Sequence, residues 1–186
     1  GPVLNDGYKD KAAELLGDHK PTGILRGGKY SLYEAGTRVP FFVYWKGKIE
    51  PAVSEALICQ LDIMASLAEL VKMSLPEGFD SQNLLPAFLG ETEKGRDDLV
   101  IEAQGKLAYR AGDWSFIPPY KGSVRNETGN ELGNLPEGGL FNLKEDPGQE
   151  NNVAKQNIDK YQAMRNSFLE ITKGYFKSNV EDIILE

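Results

Sequence analysis

The chain has 186 residues, of which 40% are apolar and 10% aromatic, enough for one compact domain or a large piece of a bigger one. Its formal net charge of −7 argues against nucleic acid or an anionic membrane surface as a general partner. One cysteine excludes an internal disulfide, one histidine excludes a histidine-rich metal cage, and no apolar run has the length of a membrane-spanning helix.

The first half of the sequence predicts few elements that would be stable by themselves. Residues 1–38 are rich in glycine and predict loops, with a short helix over 8–16. The unbroken apolar run at 41–45 predicts a strand buried on both faces. Asp62 is suited to cap a helix over 63–72, whose apolar residues lie nearly all round its axis and therefore need cover on several sides.

The second half predicts a small antiparallel sheet with one helix packed on it. Short apolar runs separated by glycine or proline turns predict strands at 99–103, 106–111, 114–117 and 139–143. Asn157 or Asp159 would cap a last helix, and the apolar positions of that helix fall on one stripe: Tyr161, Met164, Phe168 and Ile171. This combination predicts an α+β unit.

Together, these patterns divide the chain in two. Residues 99–186 supply a sheet and a helix that cover each other, and we expect them to form a self-sufficient subdomain. Residues 1–98 contain a doubly apolar strand and an all-round apolar helix, whose partners this chain scarcely supplies. We therefore expect residues 1–98 to be part of a larger structure.

The charge distribution gives a first functional hint. Residues 1–40 carry six basic and five acidic side chains, which leaves 15 basic and 23 acidic ones, a net of −8, for 41–186. Within the first stretch, Arg26 and Lys29 flank two glycines, so that backbone N–H groups and two cations would converge on a tetrahedral oxyanion. The alternative is a glycine turn that carries two surface cations.

Two other candidate sites fail on their sequence context. The spacing from Gly23 to Lys29 matches a phosphate-binding loop, but Tyr30 stands where Ser or Thr must ligate Mg²⁺, so we reject a nucleotide site. Cys59 lies in an apolar segment that raises thiol pKa values, which predicts a buried structural cysteine rather than a nucleophile. His19 is either a solvated loop residue or a substrate contact.

Several motifs follow one another in a fixed order. Arg26-Gly-Gly-Lys29 precedes Tyr33-Glu-Ala-Gly-Thr-Arg-Val-Pro40, and the apolar run after it ends in Trp45-Lys-Gly47. Further on, Leu140-Phe-Asn-Leu-Lys-Glu-Asp-Pro147 is followed by Glu150-Asn-Asn152. As a set, these motifs resemble the C-terminal half of type I sulfatases (arylsulfatases), and the likeness covers nearly the whole chain.

The resemblance implies a fold and an activity. The fold would be the C-terminal part of the sulfatase/alkaline-phosphatase-like fold, with residues 1–98 as a remnant of its catalytic domain. The activity of the full-length enzyme would be hydrolysis of a sulfate ester by a formylglycine nucleophile and Ca²⁺. Lys29 matches the family lysine that contacts the sulfate group and is the predicted catalytic residue. Arg26 and His19 are predicted to bind substrate; Arg26, as part of the same motif, would either shape the loop or contribute to the field that attracts the anion.

The resemblance also indicates what this sequence lacks. Cys59 is followed by neither the Pro nor the Arg of the family's formylglycine motif, and the family's Ca²⁺ carboxylates lie mainly upstream of the matched region. We therefore expect no metal ligand and no complete cofactor in this chain, and no sulfatase activity from it alone. The partners implied are a sulfated small molecule or carbohydrate and a missing N-terminal catalytic region.

A non-catalytic module for substrate recognition or assembly is the alternative function. Left alone, the segments 41–45 and 63–72 would expose apolar surface, which favours docking to a partner chain or a homo-oligomer. The sequence does not fix the compartment, although bacterial members of the family are often exported to the periplasm or secreted.

Overall fold

A computed structural model describes residues 1–3 and 5–173. The chain forms two compact units, one of Gly1–Val39 with Leu99–Glu186 and one of Pro40–Asp98. Residues 1–39 thus group with the sheet, whereas the sequence analysis placed them with 40–98; the assignment of 1–98 to a catalytic domain stays a prediction. Within the described residues, no helix is long and apolar enough to cross a membrane.

The secondary structure consists of five helices and four strands in the described residues. The helices are α1 (Ala12–Leu15), α2 (Glu34–Thr37), α3 (Asp62–Leu70), α4 (Leu85–Phe88) and α5 (Ile158–Thr172). The strands are β1 (Asp98–Ala103), β2 (Lys106–Ala111), β3 (Trp114–Ile117) and β4 (Gly139–Asn142). All four predicted strands are confirmed to within one residue at each end, and so is the α+β fold class.

The strands form one sheet in the order β1-β2-β3-β4, so each strand lies beside its neighbour in sequence. Two-residue loops connect the first three strands, and both central residues of the first loop, Gln104 and Gly105, have positive φ. β2 pairs antiparallel with β3, Ala111 opposite Trp114, and β3 pairs antiparallel with β4, Ser115 opposite Phe141. Because short turns connect neighbouring strands, these strands could be predicted from the sequence.

The alternation of side chains gives the sheet two buried faces. One face packs against α5 and contains Leu107, Tyr109, Phe116, Leu140, Met164 and Phe168. The opposite face is covered by the segment before α2 and contains Leu32, Tyr33, Ile101, Ala108, Ile117, Tyr120, Phe141 and Leu143. Because Leu32 and Tyr33 fill this second face, the chain just after Lys29 is anchored directly to the sheet.

The predicted last helix is confirmed, and Asn157 occupies its N-cap position, as one of the two predicted alternatives had it. The Asn157 side chain makes no capping hydrogen bond, however, and instead donates to the Val153 carbonyl at 3.1 Å. Ile171 is exposed, so the buried stripe consists of Met164 and Phe168, with Tyr161 half-buried. The helix is held by burial of that stripe against the sheet.

In the second unit, Asp62 does not cap α3 as predicted. Its carboxylate is fully buried and accepts hydrogen bonds from Arg96 (2.6–3.0 Å) and from the backbone N–H groups of Cys59 (2.9 Å) and Gln82 (3.0 Å). Burial by itself would raise the pKa of Asp62, but these hydrogen bonds hold it below its ordinary value. The Asp62 carboxylate therefore makes a long-range ion pair with Arg96 and does not cap its own helix.

The strand predicted at 41–45 is absent from the described structure. Phe42 and Tyr44 are 89% and 84% exposed, and the segment belongs to no strand. A strand buried on both faces needs a neighbour at its edge and layers above and below it. The Phe41 ring contacts the Phe88 ring, with centres 5.6 Å apart, but among the described residues the segment pairs with no strand. Helix α3 is confirmed, but its Leu67 remains exposed.

Candidate functional site

The predicted anion-binding loop is a tight structure that only glycine permits. The backbone N–H of Ala35 donates to the Arg26 carbonyl at 3.0 Å, which closes the loop at its base. Gly27 has a φ of 84°, and an added Cβ there would lie 2.4 Å from the Ser31 Oγ. At Gly36 an added Cβ would lie 1.9 Å from the Ser31 carbonyl oxygen. The glycines of the motif therefore let the backbone fold back on itself.

Lys29 projects from this loop and remains accessible. Its backbone N–H donates to the Pro2 carbonyl at 2.7 Å, and its Nζ donates to the Asp6 Oδ2 at 2.8 Å. The Tyr30 hydroxyl donates to the other oxygen of Asp6 at 2.9 Å. The Lys29 side chain nevertheless stays 41% exposed. The loop thus fixes the backbone of the lysine and leaves its ammonium open to an incoming anion.

Lys29 and Asp6 both remain charged near neutral pH. The hydrogen bond with Asp6, and a weaker one with Tyr30, raise the pKa of Lys29 above its ordinary value. Hydrogen bonds from Lys29 and Tyr30 lower the pKa of Asp6. A cation and a carboxylate therefore persist side by side, and an anion that binds Lys29 competes with Asp6 for its ammonium.

Arg26, the second predicted cation, lies in the same loop but is held differently. Its Nε and Nη2 donate to the two carboxylate oxygens of Glu131 at 3.1 and 2.7 Å, and its Nη1 donates to the Gln149 carbonyl at 2.8 Å. The guanidinium carbon also lies 4.2 Å from the centre of the Tyr33 ring. Glu131, Gln149 and the aromatic ring thus surround this side chain.

Gln149 connects this loop to the sheet. Its side chain is fully buried, accepts the Glu34 backbone N–H at 2.7 Å and donates to the Ser115 hydroxyl at 3.2 Å. The Glu34 carboxylate, also buried, accepts from Arg110 at 2.9 Å. Asp6, Glu131 and Gln149 were not predicted from the sequence. Glu131 and Gln149 lie 105 and 123 residues from Arg26, so they leave no local signal.

The other candidate residues lie apart from this network of contacts. His19 is exposed in the turn after α1, where its backbone N–H donates to the Leu16 carbonyl at 3.2 Å, and its predicted substrate contact stays a prediction. Cys59 belongs to the second unit and is half-buried. Burial raises the pKa of its thiol, in agreement with the prediction that it is not an activated nucleophile.

A metal site is not formed by the described residues. Among them, no group of three or more His, Cys, Asp or Glu side chains is placed to hold a metal ion. Asp6, the carboxylate beside Lys29, is engaged with that ammonium and with the Tyr30 hydroxyl. The donor set around Lys29 therefore suits an oxyanion and does not fit a metal ion.

The known proteins reported below, to which this chain is similar, are sulfatases. The model of the family described as Sulfatase matches residues 13–73. An N-acetylgalactosamine-6-O-sulfatase of Bacteroides thetaiotaomicron is 47% identical over 160 residues, which are 84% of this chain and 31% of the relative. Human arylsulfatase A is 31% identical over 150 residues, 71% of this chain and 29% of the relative. The chain thus spans about a third of the length of these relatives.

Solved structures agree with this result. A structure from work on the metabolism of multiple glycosaminoglycans by Bacteroides thetaiotaomicron superposes with a TM-score of 0.87 at 43% identity, over 92% of this chain and 36% of its own. The crystal structure of Ps i-CgsB superposes with a TM-score of 0.59 at 22% identity, over 78% of this chain and 31% of its own, a likeness in fold. Both matches again cover about a third of the other protein.

Proposed function

Because the chain belongs to the sulfatase family, we propose that it is the C-terminal part of an enzyme that hydrolyses a sulfate ester, with Lys29 as one of the cations that hold the sulfate group. The carrying observation is the geometry of Lys29. Its backbone is fixed by the glycine loop, while its ammonium is partly exposed and charged. A preorganised cation of this kind stabilises negative charge that develops on oxygen in a transition state.

We further propose that the sulfate ester is carried by a sugar, as a 6-O-sulfate on N-acetylgalactosamine. Support comes from the identity of 47% with the N-acetylgalactosamine-6-O-sulfatase, against 33% and 31% with bovine and human arylsulfatase A. His19, exposed in the segment before the loop, is the proposed contact to the non-sulfated part of the substrate.

The role proposed for this chain's residues is binding and charge stabilisation. In the free protein the Asp6 carboxylate, 2.8 Å away, holds the Lys29 ammonium in place. An incoming sulfate oxygen takes the exposed side of the ammonium and shares it with Asp6. The described residues do not fit the metal that the family implies, and Cys59 lacks the flanking residues of a formylglycine motif, so both groups would come from outside this chain.

The first experiment is to find the intact protein in its source cells by mass spectrometry and to assay that protein. We expect it to release sulfate from N-acetylgalactosamine 6-sulfate and to discriminate against the 4-sulfate. The Lys29→Ala variant should lose about 100- to 1000-fold in kcat/KM, the effect of removing one preorganised group that stabilises an oxyanion. Lys144→Ala, which removes an exposed lysine from another loop, is the matched control and should leave kcat/KM unchanged.

Three results would contradict these proposals. Absence of sulfate release by the intact protein rejects the enzyme, and unchanged kcat/KM in Lys29→Ala rejects the assigned role of the lysine. Turnover of an aryl sulfate by the purified 186-residue chain alone rejects the proposal that this chain is inactive by itself. A native protein of only 20.6 kDa would favour the second candidate, a non-catalytic module that docks through the exposed apolar side chains around α3.

A further inference from the structure

The two cations of the glycine loop differ in their surroundings, although they are three residues apart. Lys29 meets Asp6 at an accessible position. Arg26 makes a bidentate pair with Glu131, whose side chain is only 16% exposed, and donates a third hydrogen bond to the Gln149 carbonyl. A sulfate that approached Arg26 would have to replace a carboxylate in an optimal two-bond geometry, which makes Arg26 a poor anion receptor.

The groups that hold Arg26 are themselves fixed. Gln149 is fully buried and has a φ of 50°, and its side-chain amide joins the Glu34 backbone N–H to the Ser115 hydroxyl on β3. These contacts fix the position of the Gln149 backbone carbonyl, which accepts the hydrogen bond from Arg26. Glu131 is followed by Leu132, whose carbonyl accepts the Leu32 backbone N–H at 3.0 Å.

These contacts act on the loop that carries Lys29. The Arg26 carbonyl closes that loop by accepting the Ala35 N–H, so Lys29 lies inside a ring of backbone with Arg26 at its base. The position of a functional side chain is best defined when surrounding groups fix the segment that carries it to a helix or a strand. A shift of the base would displace the Lys29 ammonium, and displacements of about 1 Å are enough to change rates by about 100-fold.

We propose that Arg26 is a positioning residue, which together with Glu131 and Gln149 fixes the loop that presents Lys29 and does not itself contact the sulfate. This inference rests on the proposed function; of the two roles that the sequence left open for Arg26, it selects the shaping of the loop over the substrate contact and names the residues that perform it. We call the three residues the Arg26 clamp. The clamp ties the loop to β3 and to the segment around Glu131 within one compact unit.

The test is a set of variants of the intact sulfatase. Glu131→Gln keeps the shape of the side chain and removes its charge, and Arg26→Gln removes the guanidinium. The two changes are combined in one double variant, and each single change is also made together with Lys29→Ala. The control is Glu127→Gln, the same change at an exposed position of the segment between β3 and β4 that also contains Glu131. The readouts are kcat, KM, the Kd of inorganic sulfate by calorimetry, and Tm.

The clamp predicts coupled effects. Glu131→Gln and Arg26→Gln should each lower kcat/KM by about 10- to 100-fold, and the double variant should be no worse than the poorer single one. Both should weaken sulfate binding when Lys29 is present and leave it unchanged when Lys29 is alanine, because the clamp acts through that lysine. Glu127→Gln should change neither. A loss of stability alone would lower Tm and the amount of active enzyme without changing the Kd of sulfate.

Other outcomes overturn the inference. Additive losses, with Arg26→Gln far worse than Glu131→Gln and still harmful in the Lys29→Ala background, would make Arg26 a direct sulfate ligand. Wild-type kinetics in Glu131→Gln, with activity still lost in Lys29→Ala, would reject the clamp while the proposed function stands. An inactive wild-type protein would reject both. If Glu131→Gln does not fold, Arg26→Lys, which keeps the charge and loses the bidentate pair, should show the same weaker sulfate binding.

Discussion

The buried ion pair between Asp62 and Arg96 makes a quantitative prediction for the second unit. Arg96→Ala removes three hydrogen bonds of 2.6–3.0 Å from a carboxylate that is 0% exposed, and a fourth of 2.6 Å to the Asp80 carbonyl. Removing one partner of such a pair typically costs about 3–5 kcal/mol. Because two backbone N–H groups still bind Asp62, we expect a value near the lower end, about 3 kcal/mol.

Native-state hydrogen exchange of the intact protein, resolved by peptide, measures this cost locally. The opening free energy of the α3 amides should fall by about 3 kcal/mol in Arg96→Ala. Lys72→Ala removes the exposed ion pair with Glu69 in the same unit and should change it by less than about 1 kcal/mol. An Arg96→Ala effect as small as that of Lys72→Ala would refute the reasoning.

The same pair predicts a pH dependence with a defined sign. The folded-state pKa of Asp62 lies below its ordinary value of 3.8, so the folded state binds this proton more weakly than the unfolded chain. The resulting stability is fully present above about pH 4 and disappears as the pH falls through the folded-state value. In Asp62→Asn this part of the acid sensitivity of the α3 amides should vanish.

Three further changes follow from particular contacts. Tyr120→Phe leaves the buried N–H and carbonyl of Leu107 without the hydroxyl that bonds both at 2.8 Å, and should cost about 1–3 kcal/mol in thermal or urea unfolding. Gly36→Ala drives a methyl group against the Ser31 carbonyl and should lower sulfatase activity along with Tm. Cys59 should react with a thiol reagent at pH 7 more slowly than a cysteine peptide does, because burial raises its pKa.

Controls separate these effects from the general cost of substitution. Tyr8→Phe removes the hydroxyl of an exposed tyrosine and should leave stability unchanged. Gly105→Ala has open space around the new methyl group and should cost only the strain of its positive φ, about 1 kcal/mol. Equal effects of Gly36→Ala and Gly105→Ala, or fast labelling of Cys59 in the folded protein, would contradict the corresponding predictions.

The sequence predicted what short-range patterns determine. The strands of the sheet were correct because they are short apolar runs separated by glycine or proline turns. Helix α5 was correct because Met164 and Phe168 repeat at helical spacing. The glycine spacing around Lys29 likewise predicted the tight loop that presents this lysine, whereas its contact with sulfate stays a prediction. In these cases the partner of each residue lies within a few positions or on the adjacent strand.

Where the structure departs from the sequence prediction, the deciding partner lies far away in the sequence. An aspartate before an apolar helix has the pattern of a cap, and nothing nearby reveals that Arg96, 34 residues away, will take its carboxylate. Arg26 has the pattern of an anion ligand, and nothing nearby reveals that its guanidinium pairs with Glu131, 105 residues away; its predicted substrate contact stays a prediction. The run at 41–45 has the composition of a buried strand, but composition cannot state whether the neighbouring layers are present.

The candidate site and most of the exposed apolar side chains belong to different units. Sulfate binding and assembly can therefore be tested by separate substitutions. The contacts described above for the Lys29 loop end on residues of the unit that contains the sheet. By contrast, 14 of the 21 large apolar side chains exposed among the described residues lie in Pro40–Asp98. Apolar surface on that scale requires cover in a stable protein. If the proposed function is correct, polar substitutions of exposed residues of α3, such as Leu67→Gln, should therefore affect assembly with the remainder of the proposed enzyme, whereas Glu131→Gln should affect sulfate binding.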